Sequence, residues 1–80
     1  MSRRPKSEQV SVSNAVEHFR VKAGLSRQEL AVSVGVHYQT IGYIERSEYS
    51  PSLLLALQIS KALATPVEEI FWIDERKSNG

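Results

Sequence analysis

The spacing of hydrophobic residues changes near Asn14, and this change separates a strand from a helix. Within residues 9–13, polar and apolar side chains alternate strictly, which is the two-residue period of a β-strand. After it, apolar residues recur at intervals of three and four positions and form one helical face made of Ala15, Val16, Phe19 and Ala23. Gly24 is the C-terminal stop signal of this first helix.

Two short helices follow, joined by a turn of about three residues. Ser26 and Glu29 have the spacing of a capping box, which predicts the start of the second helix, and Gly35 predicts its end. The third helix begins near Tyr38, and residues 46–50 form a polar loop after it. The residues expected to face inward from this pair are Leu30, Ala31, Val34, Ile41 and Ile44.

Proline residues indicate the starts of the last two helices. Pro51 and Pro66 are expected in their first turns, where proline has the required φ and the missing N–H costs nothing. Thr65 and Glu68 have capping-box spacing, and the fifth helix should reach about Phe71. The fourth helix should be mostly buried, through Leu53, Ala56, Leu57, Ile59 and Leu63.

The predicted fold is all-α, a bundle of five helices, with a small antiparallel β-ribbon between residues 9–13 and 71–75 as an additional expectation. Residues 9–75 form one domain, preceded by a flexible basic arm at residues 1–8 and followed by a disordered tail at residues 76–80. The segments at the two ends of the domain contain too many apolar residues for disordered tails. These residues are Val10, Val12, Phe71, Trp72 and Ile73. Two interpretations remain open for them, packing within the monomer or a dimer interface.

Composition narrows the function classes. The 80 residues contain no cysteine, so the fold depends on its apolar core rather than on disulfides or a zinc–thiolate site. No apolar run is long enough for a membrane span or a secretory signal, and we expect a cytoplasmic protein. Residues 1–47 carry seven basic and four acidic side chains, whereas residues 48–80 carry three and five. This asymmetry is weak evidence for an anionic partner.

Residues 27–46 have the spacing of a helix-turn-helix. Ala31 is small enough for two helices that cross closely, and Gly35 suits a turn that needs positive φ. With Ile41 and Ile44 inward, the opposite face of the third helix has no acidic residue and consists of Tyr38, Gln39, Gly42, Tyr43 and Arg46. An α-helix fits the major groove of DNA, where Gln39 can pair with adenine and Gly42 allows close approach.

Residues 14–71 resemble the XRE, or lambda-repressor-like, family of transcriptional regulators, through the motifs GLSRQEL, QTI, IE, PSL and TPVEEIF. The pattern is similar to short stand-alone members such as the cytolysin repressors. This resemblance implies a dimeric regulator whose terminal segments pair as strands. It also implies that Tyr38, Gln39 and Tyr43 read bases, and that an Arg20–Glu45 pair ties the first helix to the third.

Phosphate contacts are expected around the base-reading residues. The resemblance implies them for Arg27 and Gln28 at the start of the second helix. We also expect them from His37, which otherwise simply caps the third helix, and from Thr40 and Arg46. Three departures from the family pattern are relevant. Tyr38 replaces a frequent arginine, Glu48 lies where a basic residue is common, and Ser47 and Ala64 replace glycines, so those two helix exits should differ in shape.

The predicted function is a sequence-specific regulator of double-stranded DNA, a repressor that binds a palindromic operator as a homodimer. Activation by contact with RNA polymerase stays open, and an interface that includes Phe71, Trp72 and Ile73 is expected. The alternative is a protein-interaction module of antitoxin or anti-regulator type with secondary DNA binding. An enzyme is the least favoured class. His18 and His37 are not joined by the residues that a metal or catalytic site needs, and no cofactor or small-molecule ligand is expected.

Overall fold

The computed structural model describes residues 10–75. The predicted arm at residues 1–8, together with Gln9, and the predicted tail at residues 76–80 lie outside the described residues. Along the chain the elements are β1 (Val10–Asn14), α1 (Val16–Lys22), α2 (Arg27–Val34), α3 (Tyr38–Glu45), α4 (Leu53–Leu63), α5 (Val67–Ile70) and β2 (Phe71–Glu75). None of the helices within residues 10–75 is long and apolar enough to cross a membrane.

All five helices contribute to one core. Each supplies at least one side chain that is essentially removed from solvent: Val16, Leu30, Ile41, Ile59 and Ile70 from α1 to α5 in order. Burial of each such aliphatic side chain contributes about 1.5–3 kcal/mol. Further buried apolar residues complete this cluster: Ala31, Val34, Ile44, Leu55 and Leu63. The inward residues predicted for α2 and α3 are therefore confirmed.

Helices α2 and α3 and the turn between them have the predicted geometry. Ser26 Oγ accepts a hydrogen bond of 3.0 Å from the Glu29 amide, and Glu29 Oε1 accepts one of 2.8 Å from the Ser26 amide, which completes the capping box. Gly35 ends α2 with φ of +77°, a left-handed conformation that costs glycine little. Ala31 is buried, as the close packing of α2 on α3 requires.

The two terminal strands pair, so the class is mostly helical with a small sheet rather than all-α. β1 and β2 are antiparallel, with Val12 opposite Ile73 and Asn14 opposite Phe71. Within the described residues the first strand covers Val10–Asn14, so it extends one residue beyond the predicted end at residue 13. The pairing continues into the helical body, because the Ala15 amide donates a 2.8 Å hydrogen bond to the Ile70 carbonyl.

Helix α1 is shorter than the periodicity predicted. Asn14 is the last residue of β1, and the helix begins at Val16 rather than near Asn14. Ala23 is the C-cap of α1 and is exposed, so its predicted place on the inward face is wrong. The reason is local: Gly24 has φ of +78° and turns the chain away before a last helical turn forms.

The buried face of α4 differs from the predicted one. Leu53 and Leu57 are 72% and 47% exposed, whereas Leu55, which was not predicted to be inward, is buried. The inward stripe is Leu55, Ala56, Ile59 and Leu63, and it keeps the helical spacing of three to four residues. Apolar residues occupy nearly every position in the first half of α4, so the sequence alone does not select which side packs.

The starts of α4 and α5 also lie later than predicted. Ser52, not Pro51, precedes the first helical residue of α4, and its hydroxyl accepts a 3.1 Å bond from the Leu55 amide. Pro66 has extended ψ of 141° and lies before α5. The predicted Thr65 capping box is absent there, because the Thr65 hydroxyl donates to the Leu63 carbonyl at 2.9 Å instead.

The helix exits at Ser47 and Ala64 keep the conformation that glycine would adopt. Their φ values are +61° and +52°, although neither residue is glycine. The expectation that these exits differ in shape is therefore wrong. A residue with a Cβ atom is held in the left-handed region here at a cost of about 1–2 kcal/mol. The surrounding contacts of α3 and α4 outweigh that cost.

Candidate nucleic-acid interface

Helix α3 presents a polar and aromatic surface that the rest of the described chain leaves uncovered. Tyr38 and Tyr43 are 48% and 45% exposed, and Gln39 is exposed between them. Together with Gly42 and the arginines at positions 27 and 46, they line a shallow depression of about 180 Å³. The structure thus brings all the predicted base-reading residues together with two of the predicted phosphate-binding residues.

His37 caps this helix through one ring nitrogen. Its Nδ1 accepts a 3.1 Å hydrogen bond from the Gln39 amide, and its ring stacks on Tyr38 with centroids 4.7 Å apart. A nitrogen that accepts a hydrogen bond carries no proton, so the neutral ring has its N–H at Nε2. His37 therefore serves as the cap and keeps a separate donor, and the two predicted roles are compatible.

The remaining predicted phosphate-binding residues lie at the edges of this surface. Gln28 is exposed in the first turn of α2. Thr40 is half-buried and, with Tyr43, lines a larger open groove between α3 and the loop after it. Glu48 and Tyr49 lie on the loop side of that groove, which has a volume of about 580 Å³.

Glu45, the last residue of α3, joins three parts of the fold. Its side chain is only 1% exposed, and its Oε2 accepts a 2.6 Å hydrogen bond from Arg20 Nε of α1. Arg20 Nη1 also donates to the Leu25 carbonyl at 2.8 Å, so the buried guanidinium has two acceptors. Because burial makes an unpaired charge costly, this network fixes α3 against α1 and the α1–α2 loop.

Arg27 belongs to the same network. Its Nε donates to the second carboxylate oxygen of Glu45 at 2.8 Å, and about half of its side chain stays exposed. The hydrogen bond and then the charge of Glu45 raise the pKa of the Arg27 guanidinium above its ordinary value. Arg27 is thus a permanent cation, held beside α3 at the edge of the depression. Sequence reasoning placed Arg27 at the phosphate backbone and missed this link to Glu45.

Asn14 is a second residue that sequence reasoning missed. Its Nδ2 donates a 2.8 Å hydrogen bond to the Ile44 carbonyl at the end of α3, and its Oδ1 accepts a 3.0 Å bond from the Val16 amide. One side chain therefore starts α1 and holds the C-terminal end of α3. The available signal was an asparagine directly before a helical pattern, which is typical of a helix-capping position.

Gly42 lies on this face of α3, as predicted, but the side chain of Arg46 covers it. It is buried beneath Arg46, the C-cap of α3. A Cβ atom built at position 42 would lie 3.2 Å from Arg46 Nη1, and its three nearest atoms all belong to that guanidinium. The arginine leans back by one helical turn, as side chains on a helix do, and covers the glycine.

Comparisons with known proteins agree with this geometry. The model of a helix-turn-helix family, HTH_3, matches residues 16–70. The chain belongs to this family of transcriptional regulators. A helix-turn-helix-type transcriptional regulator of Bacillus subtilis, YgzD, is 44% identical over 64 residues, which cover 80% of this chain and 97% of YgzD. A regulator of the same type from Methanothermobacter thermautotrophicus is 46% identical over 61 residues, covering 75% and 88%.

A solved structure is similar in both fold and sequence. It is the restriction-modification controller protein C.AhdI from Aeromonas hydrophila, with a TM-score of 0.64 and 30% identity. The match covers 68% of this chain and 82% of that one. The predicted resemblance to the XRE family, and a helix-turn-helix domain that binds DNA, are thereby confirmed.

Each of the two histidines packs against a neighbouring aromatic ring. Within residues 10–75 no group of three or more His, Asp or Glu side chains is arranged to hold a metal ion. His18 packs edge-on against Phe19 with ring centroids 4.9 Å apart, and His37 is engaged at the start of α3.

Proposed function

We propose that this helix-turn-helix regulator is a cytoplasmic repressor that binds a palindromic operator sequence-specifically as a homodimer. One observation carries the proposal: the exposed α3 surface joins hydrogen-bonding and aromatic side chains on a helix whose opposite side is fully buried. A helix of this kind fits the major groove, where Gln39 can pair with adenine and Tyr38 and Tyr43 can contact bases or thymine methyl groups.

Hydrogen-bond donors around α3 support phosphate contacts that would position the protein on the DNA backbone. Arg27 lies on one side of the depression, and the Nε2 donor of His37 lies at the N-terminal end of the helix. With Gln28 and Thr40, these residues are our candidates for phosphate contacts, which supply affinity but little sequence information. Binding to the operator should therefore weaken as salt concentration rises.

The terminal ribbon supports the homodimer. Trp72 and Ile73 are adjacent in β2 and point to opposite faces of the ribbon, yet they are 45% and 63% exposed. An isolated two-stranded ribbon is marginally stable in water, so a second copy that covers these side chains would stabilise it. Phe71 packs partly against the core of its own subunit. It would therefore fix the start of β2 on the helical body, next to the proposed interface.

The test is selection of bound sites from a pool of random double-stranded DNA, followed by affinity measurement at several salt concentrations. We expect enrichment of an inverted repeat whose half-sites are about one helical turn, or 34 Å, apart. Lack of enrichment over the starting pool would overturn sequence-specific binding. Enrichment of a single half-site by a protein that sediments as a monomer would overturn the dimer.

A second candidate function is a protein-interaction module of the antitoxin or anti-regulator type. The observation in its favour is the exposed leucine surface at the start of α4, formed by Leu53, Leu54 and Leu57. Exposed apolar groups of this kind are frequent at protein interfaces. A tight complex with a protein partner, formed by a chain that shows no preference among DNA sequences, would favour this function over the repressor.

A further inference from the structure

Position 42 is the middle of the exposed α3 surface, and it lacks a side chain. Tyr38 lies one turn before Gly42 on this surface, and Arg46 lies one turn after it. The guanidinium of Arg46 fills the space that a side chain at 42 would occupy, with Nη1 3.2 Å and Nη2 3.9 Å from the Cβ position. A cation thus stands at the centre of the surface rather than at its edge.

Two neighbours hold the guanidinium in this place. Its Cζ lies 5.4 Å from the centroid of the Tyr43 ring, within the range of a cation–π contact. Its Nε lies 3.3 Å from Glu48 Oε1 in the loop that follows α3. Each contact is partly exposed and weak on its own. Acting together, they restrict a long side chain that would otherwise sample many rotamers.

The contact with Glu48 also determines which edge of the guanidinium is used. Because Nε faces Glu48, the terminal pair Nη1 and Nη2 remains as a two-pronged donor beside Gly42. Two parallel N–H donors from arginine match the O6 and N7 acceptors of guanine in the major groove, and this is the commonest specific contact between proteins and DNA.

We propose that Arg46 reads a guanine through Nη1 and Nη2 from the place left open by Gly42, and that Glu48 is a positioning residue for it. This inference rests on the proposed function and replaces the phosphate contact expected for Arg46. It also gives a role to the acidic residue at position 48. Glu48 is not a phosphate contact, and its negative charge should repel the DNA backbone while its carboxylate orients Arg46.

The first test measures the affinity of Arg46→Ala and of the unaltered protein for three kinds of DNA. These are the selected operator, every single-base variant of one half-site, and a mixed-sequence duplex. We expect a loss of about 10- to 100-fold at the operator and a loss of preference for one G·C pair. Binding to the mixed-sequence duplex should change much less. Arg27→Ala, a predicted phosphate contact, should weaken every duplex by a similar factor, and Lys61→Ala on α4 should change none.

The second test asks whether a side chain at position 42 changes base preference without lowering the stability of the helix. Gly42→Leu places an apolar side chain where the guanidinium lies and cannot replace its hydrogen bonds. Since leucine favours a helix more than glycine does, the Tm should not fall. Preference for the same G·C pair should nevertheless be lost, and adding Arg46→Ala to this variant should cause little further loss of preference.

The third test uses Glu48→Ala, which should change two quantities in opposite directions. Preference for the G·C pair should fall because Arg46 is less restricted, while affinity for the mixed-sequence duplex should rise because a negative charge is removed. Equal gains on operator and mixed-sequence DNA would overturn the positioning role of Glu48. If Arg46→Ala weakens all duplexes alike and lowers the salt dependence, Arg46 is a phosphate contact and the inference fails while the proposed function stands. Absence of any selected operator would instead remove the proposed function and this inference together.

Discussion

Asn14 donates a 2.8 Å hydrogen bond from Nδ2 to the carbonyl oxygen of Ile44, across a separation of 30 residues. The bond joins the end of β1 to the last turn of α3. Asn14 also accepts a bond from the Val16 amide, so the same side chain starts α1. The orientation of the exposed α3 surface therefore depends partly on a residue that lies outside the helix-turn-helix.

Replacing Asn14 by alanine should destabilise the fold by about 1–2 kcal/mol. The variant loses a bond to a part-buried carbonyl and a bond that satisfies the first amide of α1. Urea denaturation at a fixed protein concentration measures the change. Ser11→Ala, also on β1 but exposed, should stay within about 0.5 kcal/mol of the unaltered protein. Equal values for the two variants would contradict the role of Asn14.

Removal of Glu45 should be among the most destabilising changes on α3. Glu45→Ala leaves the buried guanidinium of Arg20 without its carboxylate, and breaking a buried pair in this way costs about 3–5 kcal/mol. Arg27→Ala removes the exposed partner of the same carboxylate and should cost much less, because solvent screens that pair. Thermal and urea unfolding of both variants would show the difference. A small effect of Glu45→Ala would mean that solvent reaches Arg20.

Glycine should stabilise the chain at position 64. Ala64 is held at φ of +52°, and Ala64→Gly relieves about 1–2 kcal/mol of strain, offset in part by greater freedom of the unfolded chain. A net gain of about 0.5–1 kcal/mol in the free energy of unfolding is expected. Ala23→Gly is the matched control, because Ala23 caps α1 at φ of −81° and glycine brings no relief there. Destabilisation by both variants would show that Ala64 is unstrained.

Gln39→Ala should lower affinity for the selected operator by about 1–3 kcal/mol and relax the preference at one base pair. The reason is the loss of a two-pronged contact with adenine. Gln28→Ala changes the same residue type at the start of α2, where we expect a phosphate contact, and should weaken all duplexes by a similar factor. Competition binding with single-base operator variants measures both. A uniform loss for Gln39→Ala would remove it from the base-reading residues.

Trp72→Ala should weaken the proposed homodimer by about 2 kcal/mol or more, because aromatic residues often dominate interface energies. Sedimentation equilibrium over a range of concentrations measures the dimer dissociation constant. Val32→Ala is the control, since Val32 is also apolar and is more exposed than Trp72, at 75% against 45%, but lies on α2. An unchanged association constant for Trp72→Ala would place the interface elsewhere, and the leucines of α4 would be the next candidates.

The sequence by itself determined the features that depend on near neighbours. The capping box of α2, the left-handed turn at Gly35, and the buried stripe of Ile41 and Ile44 follow from local hydrogen bonds and helical period. Because the inward residues of α3 were predicted correctly, the residues of its opposite face were correct as well, although Arg46 covers Gly42 there. The strand pattern at the terminus was also sufficient to predict the ribbon, to within one residue.

The tertiary structure determined the contacts between residues that are far apart in the sequence. Apolar side chains surround the start of α4, so only packing on α2 and α5 selects Leu55 over Leu53. The hydrogen bond from Asn14 to the Ile44 carbonyl likewise depends on a partner far along the chain. Periodicity records which residues share a face, but it has no information about which neighbouring element that face will meet.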